Sequence, residues 1–357
     1  MERKILGIGN PLVDSIHHVG DGAIRDLGFI PGSMNLIEVD VQAAVMQAGP
    51  RARVAAGGSC ANTLRGIAYL TTMLGRDAKL VYSGAVGNDD LGNEFGRIMR
   101  EQGVDARLAG KDSPTGTSTI LVSPDGQRTM FTQLGACREF AVEDVPWEDL
   151  KSANFLYTTG YMWDTPNQHA AVLQAIDRAG NAGADVSLDI ADPFVAERYR
   201  EGLLDLIGAV GGSNGKGQLA PRRVFCNEDE LRSLLGMKDE SRDAVFAAAA
   251  NFQLIWVVKV GAEGSYLIDG KNSSTPVHCP AQNTKVLDTT GAGDSFAAGH
   301  IFALMQGLSE AQAMSIGNAL AACIVAIQGC VYQDISAEKQ AAIIRLFQNA
   351  VGGQAAQ

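Results

Sequence analysis

Apolar positions along the chain fall into two rhythms. From residue 154 onward, short apolar runs alternate with helix-like stretches. Residues 154–160, 184–190, 222–227 and 254–260 read as buried strands, the last (Leu254-Ile255-Trp256-Val257-Val258-Lys259-Val260) being the most apolar. Helical periodicity covers 167–179, 197–209, 228–235 and 241–250, then 292–306, 309–327 and 336–350, with a hairpin near 266–272. Upstream, a strand over 4–9, a helix from Gly58 to Leu74, a strand over 79–86 and a helix over 91–102 keep the same beat. This alternation predicts an α/β fold, a doubly wound and mostly parallel sheet flanked by helices.

Two stretches break the alternation. Residues 14–55 hold turn signals (Val19-Gly20-Asp21-Gly22, Ile30-Pro31-Gly32) and a strand-like run from Asn35 to Val39. Residues 118–133 read as a hairpin turning at Pro124-Asp125-Gly126. Together they predict a small β-sheet built from both pieces and projecting from the main body. The expected division is a large nucleotide- and substrate-binding domain over 1–10, 56–112 and 136–350, with a small β-sheet unit over 11–55 and 113–135.

Charge and composition narrow the class. A net charge of −11 without a dense basic cluster argues against nucleic-acid or membrane partners, and 46% hydrophobic against 19% charged residues is ordinary for a soluble globular chain. Six cysteines with no C-x-x-C spacing suggest reduced thiols rather than a disulfide framework or zinc site. The start passes directly into strand-like sequence and no apolar run reaches spanning length, so a cytoplasmic protein is expected. Gly9-Asn10-Pro11 lacks a full dinucleotide fingerprint. Gly211 to Gly217 misses the P-loop pattern and reads as a surface insertion.

The chemistry gathers in Asp288-Thr289-Thr290-Gly291-Ala292-Gly293-Asp294-Ser295-Phe296. Gly291-Ala292-Gly293 can turn its amides into an anion-binding concavity, and the apolar run that follows makes it a helix start, where phosphate is favoured. A carboxylate there, Asp294, suits a base that takes a proton from a hydroxyl attacking a phosphoryl group. The helix dipole should lower its pKa and make it a weak base. The bland alternative is an N-capped buried helix. Gly57-Gly58-Ser59-Cys60-Ala61-Asn62 is a second glycine pair opening a helix; it allows close ligand approach and offers Asn62 to hydroxyls, although capping alone explains it equally simply. Asp14, just past the first strand, can accept from two neighbouring hydroxyls, or simply close an Asx turn.

These strings resemble the PfkB, or ribokinase-like, carbohydrate kinases, most nearly their adenosine kinase branch, over Ile5 to about Cys330. The resemblance implies ATP-dependent transfer of the γ-phosphoryl group to a primary hydroxyl. It assigns the base to Asp294 and the anion hole to Gly291, Ala292 and Gly293. It places Asn10 and Asp14 on the ribose, and Gly57, Gly58, Ser59 and Asn62 at the acceptor. By the same resemblance Asn227 and Glu230 (an NxxE string) hold magnesium through water. Lys259, Gly261 and Gly264 (KxGxxG) lie on the ATP side with Thr289 and Asn318. Arg128, on the small sheet, reaches the transferring phosphoryl group unless it is merely solvated, and that sheet acts as a lid. ATP and Mg2+ are thus the implied cofactors, with K+ left open, and the state is a monomer or homodimer. Thr290 and Ser295 depart from the animal adenosine kinase string and occur among sugar kinases.

The acceptor stretches 9–14, 32–36, 57–63 and 157–163 contain no Lys or Arg, so a neutral acceptor is expected. Leu12, Met34, Leu36, Tyr161, Met162 and Trp163 offer a flat base an apolar surface, or else fill the core. The expected acceptor is a nucleoside, adenosine giving AMP. A free sugar such as ribose or fructose is the alternative, and a non-catalytic binding protein the remote one.

Overall fold

The computed structural model describes residues 3–31, 34–124, 128–208 and 221–353, without the side chains of residues 34, 39, 51–53, 128 and 274. The Gly211–Gly217 stretch and the tip of the 118–133 hairpin lie outside the described residues. Fourteen strands are described: β1 (Arg3–Ile8), β2 (Leu12–His18), β3 (Met34–Leu36), β4 (Arg51–Gly57), β5 (Ala78–Gly87), β6 (Asp105–Lys111) and β7 (Thr117–Val122), then β8 (Arg128–Gln133), β9 (Phe155–Thr159), β10 (Asp185–Asp189), β11 (Arg223–Asn227), β12 (Ile255–Lys259), β13 (Gly264–Asp269) and β14 (Ser273–Pro280).

The larger sheet runs β14-β13-β12-β11-β10-β9-β1-β5-β6, parallel from β12 to β6 and antiparallel only at the β13–β14 edge. Its central strands, β1, β5 and β9 to β12, are buried on both faces, as parallel strands between helical layers must be. Ile5, Tyr157, Phe225 and Val257 face the helices Ser59–Met73, Ala292–Met305, Glu310–Ile324 and Ala337–Gly352. Their neighbours Leu6, Leu156, Val224 and Trp256 face the helices Pro166–Asn181, Arg200–Ile207, Glu228–Leu235 and Arg242–Ala249. Strand order reverses between β1 and β9, which makes the carboxyl ends of those strands the place where such a sheet opens a crevice.

The second sheet, β3-β8-β7-β2-β4, draws its strands from residues 12–57 and 117–133. It covers a small apolar cluster of Val19, Ile24, Ile37, Val45, Leu121 and Phe131. Three details depart from the sequence reading. A helix, Val39–Gln47, lies inside the stretch expected to be strands and turns. The helix expected over 197–209 breaks at Tyr199 into Pro193–Arg198 and Arg200–Ile207. Strand β6 was not expected at all; as an edge strand without a buried face it carries no apolar alternation to read.

Candidate active site

The two helix starts that carry the candidate chemistry lie side by side because small residues let their helices approach. On the helix Ser59–Met73, a β-carbon at Gly66 would stand 2.6 Å from the Ala298 methyl and from the Tyr332 hydroxyl. That contact sets Asn62, one turn earlier, and Ser59, two turns earlier, against Asp294 in the first turn of the helix Ala292–Met305. Ser59 Oγ donates to Asp294 Oδ1 at 2.7 Å and Asn62 Nδ2 to Oδ2 at 2.9 Å. Burial raises the Asp294 pKa; the bonds from Ser59 and Asn62 and the Lys259 charge oppose it, while Asp189 adds to it. The expectation of a base weakened by the helix dipole is therefore corrected. Loss of water outweighs the dipole here.

Gly291 caps this helix at φ 73°, and Ala292 N donates back to Thr289 O at 3.1 Å. The amides of Gly293 and Asp294 fall in the first turn, where no intrahelical acceptor exists. Lys259 Nζ lies 3.2 Å from where a β-carbon on Gly293 would stand, so an ammonium joins the concavity. That ammonium is paired with Asp189 at 3.1 Å, and its pKa is raised despite burial, chiefly by Asp189 and then Glu230. Asp189, at the carboxyl end of β10, also accepts from Tyr157 OH at 3.3 Å and Ala191 N at 3.1 Å. Ala191 has φ 72°, the one positive φ outside glycine among the described residues. Sequence reasoning missed Asp189. The signal for it was a carboxylate ending a buried strand, the feature used for Asp14.

The acceptor-side residues converge on the same helix start. Gly58, at φ 91°, packs so tightly on the Asn10 carbonyl that a side chain would overlap it, and Gly57 likewise abuts the Asp14 carboxylate. Asn10 is aimed by a buried partner the sequence did not reveal: Gln168 Nε2 donates to Asn10 Oδ1 and to Cys137 O, both at 2.7 Å. Asn10, Asp14, Gly58, Ser59, Asn62 and Asp294 share one cavity of about 1300 Å³, large enough for two small ligands. Leu12, Leu36, Met130, Leu134 and Tyr161 supply its apolar wall on this side. Gly57 stands behind Asp14 rather than on the wall. Met162 and Trp163, at 0% and 5% exposure, belong to the core and not to the apolar surface considered for them. The side chains of Met34 and Arg128 lie outside the described residues; their backbones pair with Met130 and Val122.

The same cavity is also lined by Asn227, Glu230, Lys259, Gly261, Gly264, Thr289 and Asn318. Asn227 and Glu230 form a reciprocal helix cap. Glu230 N donates to Asn227 Oδ1 at 2.8 Å, and Glu230 accepts from Asn227 N at 2.8 Å and Nδ2 at 2.7 Å. Burial raises the Glu230 pKa to about 7, against the pull of Lys259. Gly264 is crowded by Cys279 O of β14 and by Ala281 N just past it, 2.5 Å from a would-be β-carbon, whereas Gly261 has open space. Asn318 spends its Nδ2 on Cys279 O at 3.0 Å and Ser265 Oγ at 3.2 Å, so it braces this wall. Among the described residues, no group of three His, Cys, Asp or Glu side chains could enclose a metal. The oxygen donors of Asn227, Glu230 and Asp189 do fit a hard cation that keeps its own waters. The cavity wall also includes Arg198, a cation outside the acceptor stretches 9–14, 32–36, 57–63 and 157–163, with its guanidinium 5.7 Å from the Phe194 ring centre and 5.4 Å from that of Tyr199. No described helix is long and apolar enough to cross a membrane.

Known proteins share this sequence pattern and fold. The adenosine kinase of Saccharomyces cerevisiae is 23% identical over 349 residues, covering 93% of this chain and 97% of its own. The crystal structure of adenosine kinase from Sinorhizobium meliloti superposes with a TM-score of 0.80 at 32% identity, covering 96% of this chain and 99% of that one. A probable sugar kinase from Rhizobium etli does so with a TM-score of 0.81 at 33% identity, covering 96% and 100%. The profile of the pfkB family carbohydrate kinases matches residues 31–337. That match spans most of the chain, which therefore belongs to the pfkB family of carbohydrate kinases, phosphotransferases that act on hydroxyl groups.

Proposed function

We propose that the protein transfers the γ-phosphoryl group of ATP to the primary hydroxyl of a neutral nucleoside, adenosine giving AMP. The observation that carries this reading is Asp294, hydrogen-bonded to Ser59 and Asn62 on the cavity wall it shares with Asp14 and Asn10. In the reaction, Asp14 and Asn10 hold the ribose hydroxyls and the wall of Leu12, Leu36 and Tyr161 takes the base. Asp294 accepts the proton of the attacking hydroxyl, and its raised pKa brings it nearer the range where a base is effective. The first-turn amides of Gly293 and Asp294, with Lys259 beside them, face the charge that spreads over the transferring group. Asn227, Glu230 and Asp189 would hold hydrated magnesium, which when bound neutralises phosphate charge. The small sheet, with Arg128, closes over the acceptor and keeps water from competing for the phosphoryl group.

A neutral acceptor remains the better fit, because Lys259, the cation beside Gly293, is paired with Asp189. A free sugar is the second reading, favoured by the 33% identity to the probable sugar kinase and by Thr290 and Ser295. Steady-state phosphorylation of adenosine, inosine, ribose, fructose and fructose 6-phosphate separates these readings. The expected order puts adenosine first by kcat/KM. Preference for ribose or fructose would transfer the assignment to the second reading, and preference for fructose 6-phosphate would contradict both.

A further inference from the structure

Asn62 serves Asp294 only when its carboxamide is turned nitrogen-first, and a buried arginine holds it that way. With Asn62 Nδ2 on Asp294 Oδ2 at 2.9 Å, the amide oxygen accepts from Arg65, one turn further along the helix, whose Nη1 lies at 3.1 Å. Arg65 is 3% exposed, a depth at which arginines are rarely found without an anionic partner. Its acceptors here are all neutral: Ala56 O at 2.5 Å, Gln102 Oε1 at 2.6 Å, Asn62 Oδ1, and Cys330 O at 3.4 Å. A cation buried on neutral acceptors is costly to fold, so its retention calls for an explanation beyond packing. The acceptors themselves supply one. Ala56 precedes the glycine pair at the end of β4, and Cys330 Sγ stands 2.5 Å from where a β-carbon on Gly291 would be.

We propose that Arg65 is a positioning residue for phosphoryl transfer: it fixes the Asn62 carboxamide so that the N–H side faces Asp294, and it ties that orientation to the end of β4 and to the segment behind the Gly291 turn. The inference rests on the kinase reading above. A reversed Asn62 amide would set its oxygen against the Asp294 carboxylate and remove a donor that favours the ionised base. The other groups facing Asp294 leave that donor important. Cys60, Cys330, Tyr157, Tyr161 and Tyr332 are all raised by burial and stay neutral, so Lys259 and Asp189 are the charges in play, and they oppose each other.

The test is the pH dependence of kcat for the wild type, Arg65→Met, Arg65→Lys, Asn62→Ala and the Asn62→Ala/Arg65→Met double variant, each with KM for ATP. Arg65→Met is expected to move the acid limb of kcat up by about one pH unit, about tenfold in rate on that limb, with KM for ATP held within about twofold. Arg65→Lys, which keeps a cationic donor, should lie between, and Arg65→Met should add nothing once Asn62 is Ala. Folded Arg65→Met with the wild-type limb, or full additivity in the double variant, would overturn the proposal. If Arg65→Met does not fold, Arg65→Lys decides: an upward shift supports the proposal and an unmoved limb overturns it. A wild type that phosphorylates none of the acceptors tested would instead count against the kinase reading, so the two failures are distinguishable.

Discussion

Two carboxylates in the cavity have their pKa values pushed the same way, and each makes a separate prediction. Asp294 must be ionised to accept a proton, so kcat rises with pH through its raised pKa. Ser59 Oγ favours the ionised form, and Ser59→Ala should therefore shift the acid limb upward; a downward shift in the pH–rate profile would contradict the geometry. Glu230 concerns stability. Its folded pKa of about 7 lies above the ordinary 4.5, so the folded state holds a proton that the unfolded chain releases. Wild-type stability should fall as pH rises from about 4.5 to about 7, then level off, and the effect is on the order of 1–3 kcal/mol. Glu230→Gln removes this slope, so in metal-free buffer its melting temperature should gain on the wild type across that window. A gap that stays constant with pH would mean that Glu230 ionises normally.

At the scale of elements, the acceptor site depends on the approach of two helices and one glycine turn. Gly58→Ala would place a methyl against the Asn10 carbonyl at φ 91°, costing about 1–3 kcal/mol and displacing the Asn10 end of the pocket. Its expected effect is a raised KM for the acceptor with KM for ATP little changed; equal changes in both would contradict it. The parallel strands and their helices were legible because each carries its own period. The placement of Asp294 and Asn62 at helix starts was legible from glycine-marked strings and that of Glu230 from the Asn227 cap, whereas Asp14 lies inside β2 rather than past a strand end. Gln168, Asp189 and Arg65 were not, since each acts through a residue more than thirty positions away or through the inward face of a helix. The helix Val39–Gln47 was hidden by its weak amphipathicity within a turn-rich stretch.

At the scale of the whole molecule, the larger sheet and its helix starts carry the candidate base, and the smaller sheet is proposed to close over it. Closure should slow amide hydrogen exchange in β7 and β8 when adenosine and a non-hydrolysable ATP analogue are both bound, and less with either alone. Unchanged exchange across those strands would contradict a closing sheet. The central claim is that Asp294 is the base for transfer to a hydroxyl in the shared cavity. Its most direct test is the turnover of Asp294→Asn, measured beside ATP binding. The account predicts that ATP binds as before and that kcat falls by a factor of ~10² or more; near-normal turnover would remove Asp294 from the mechanism.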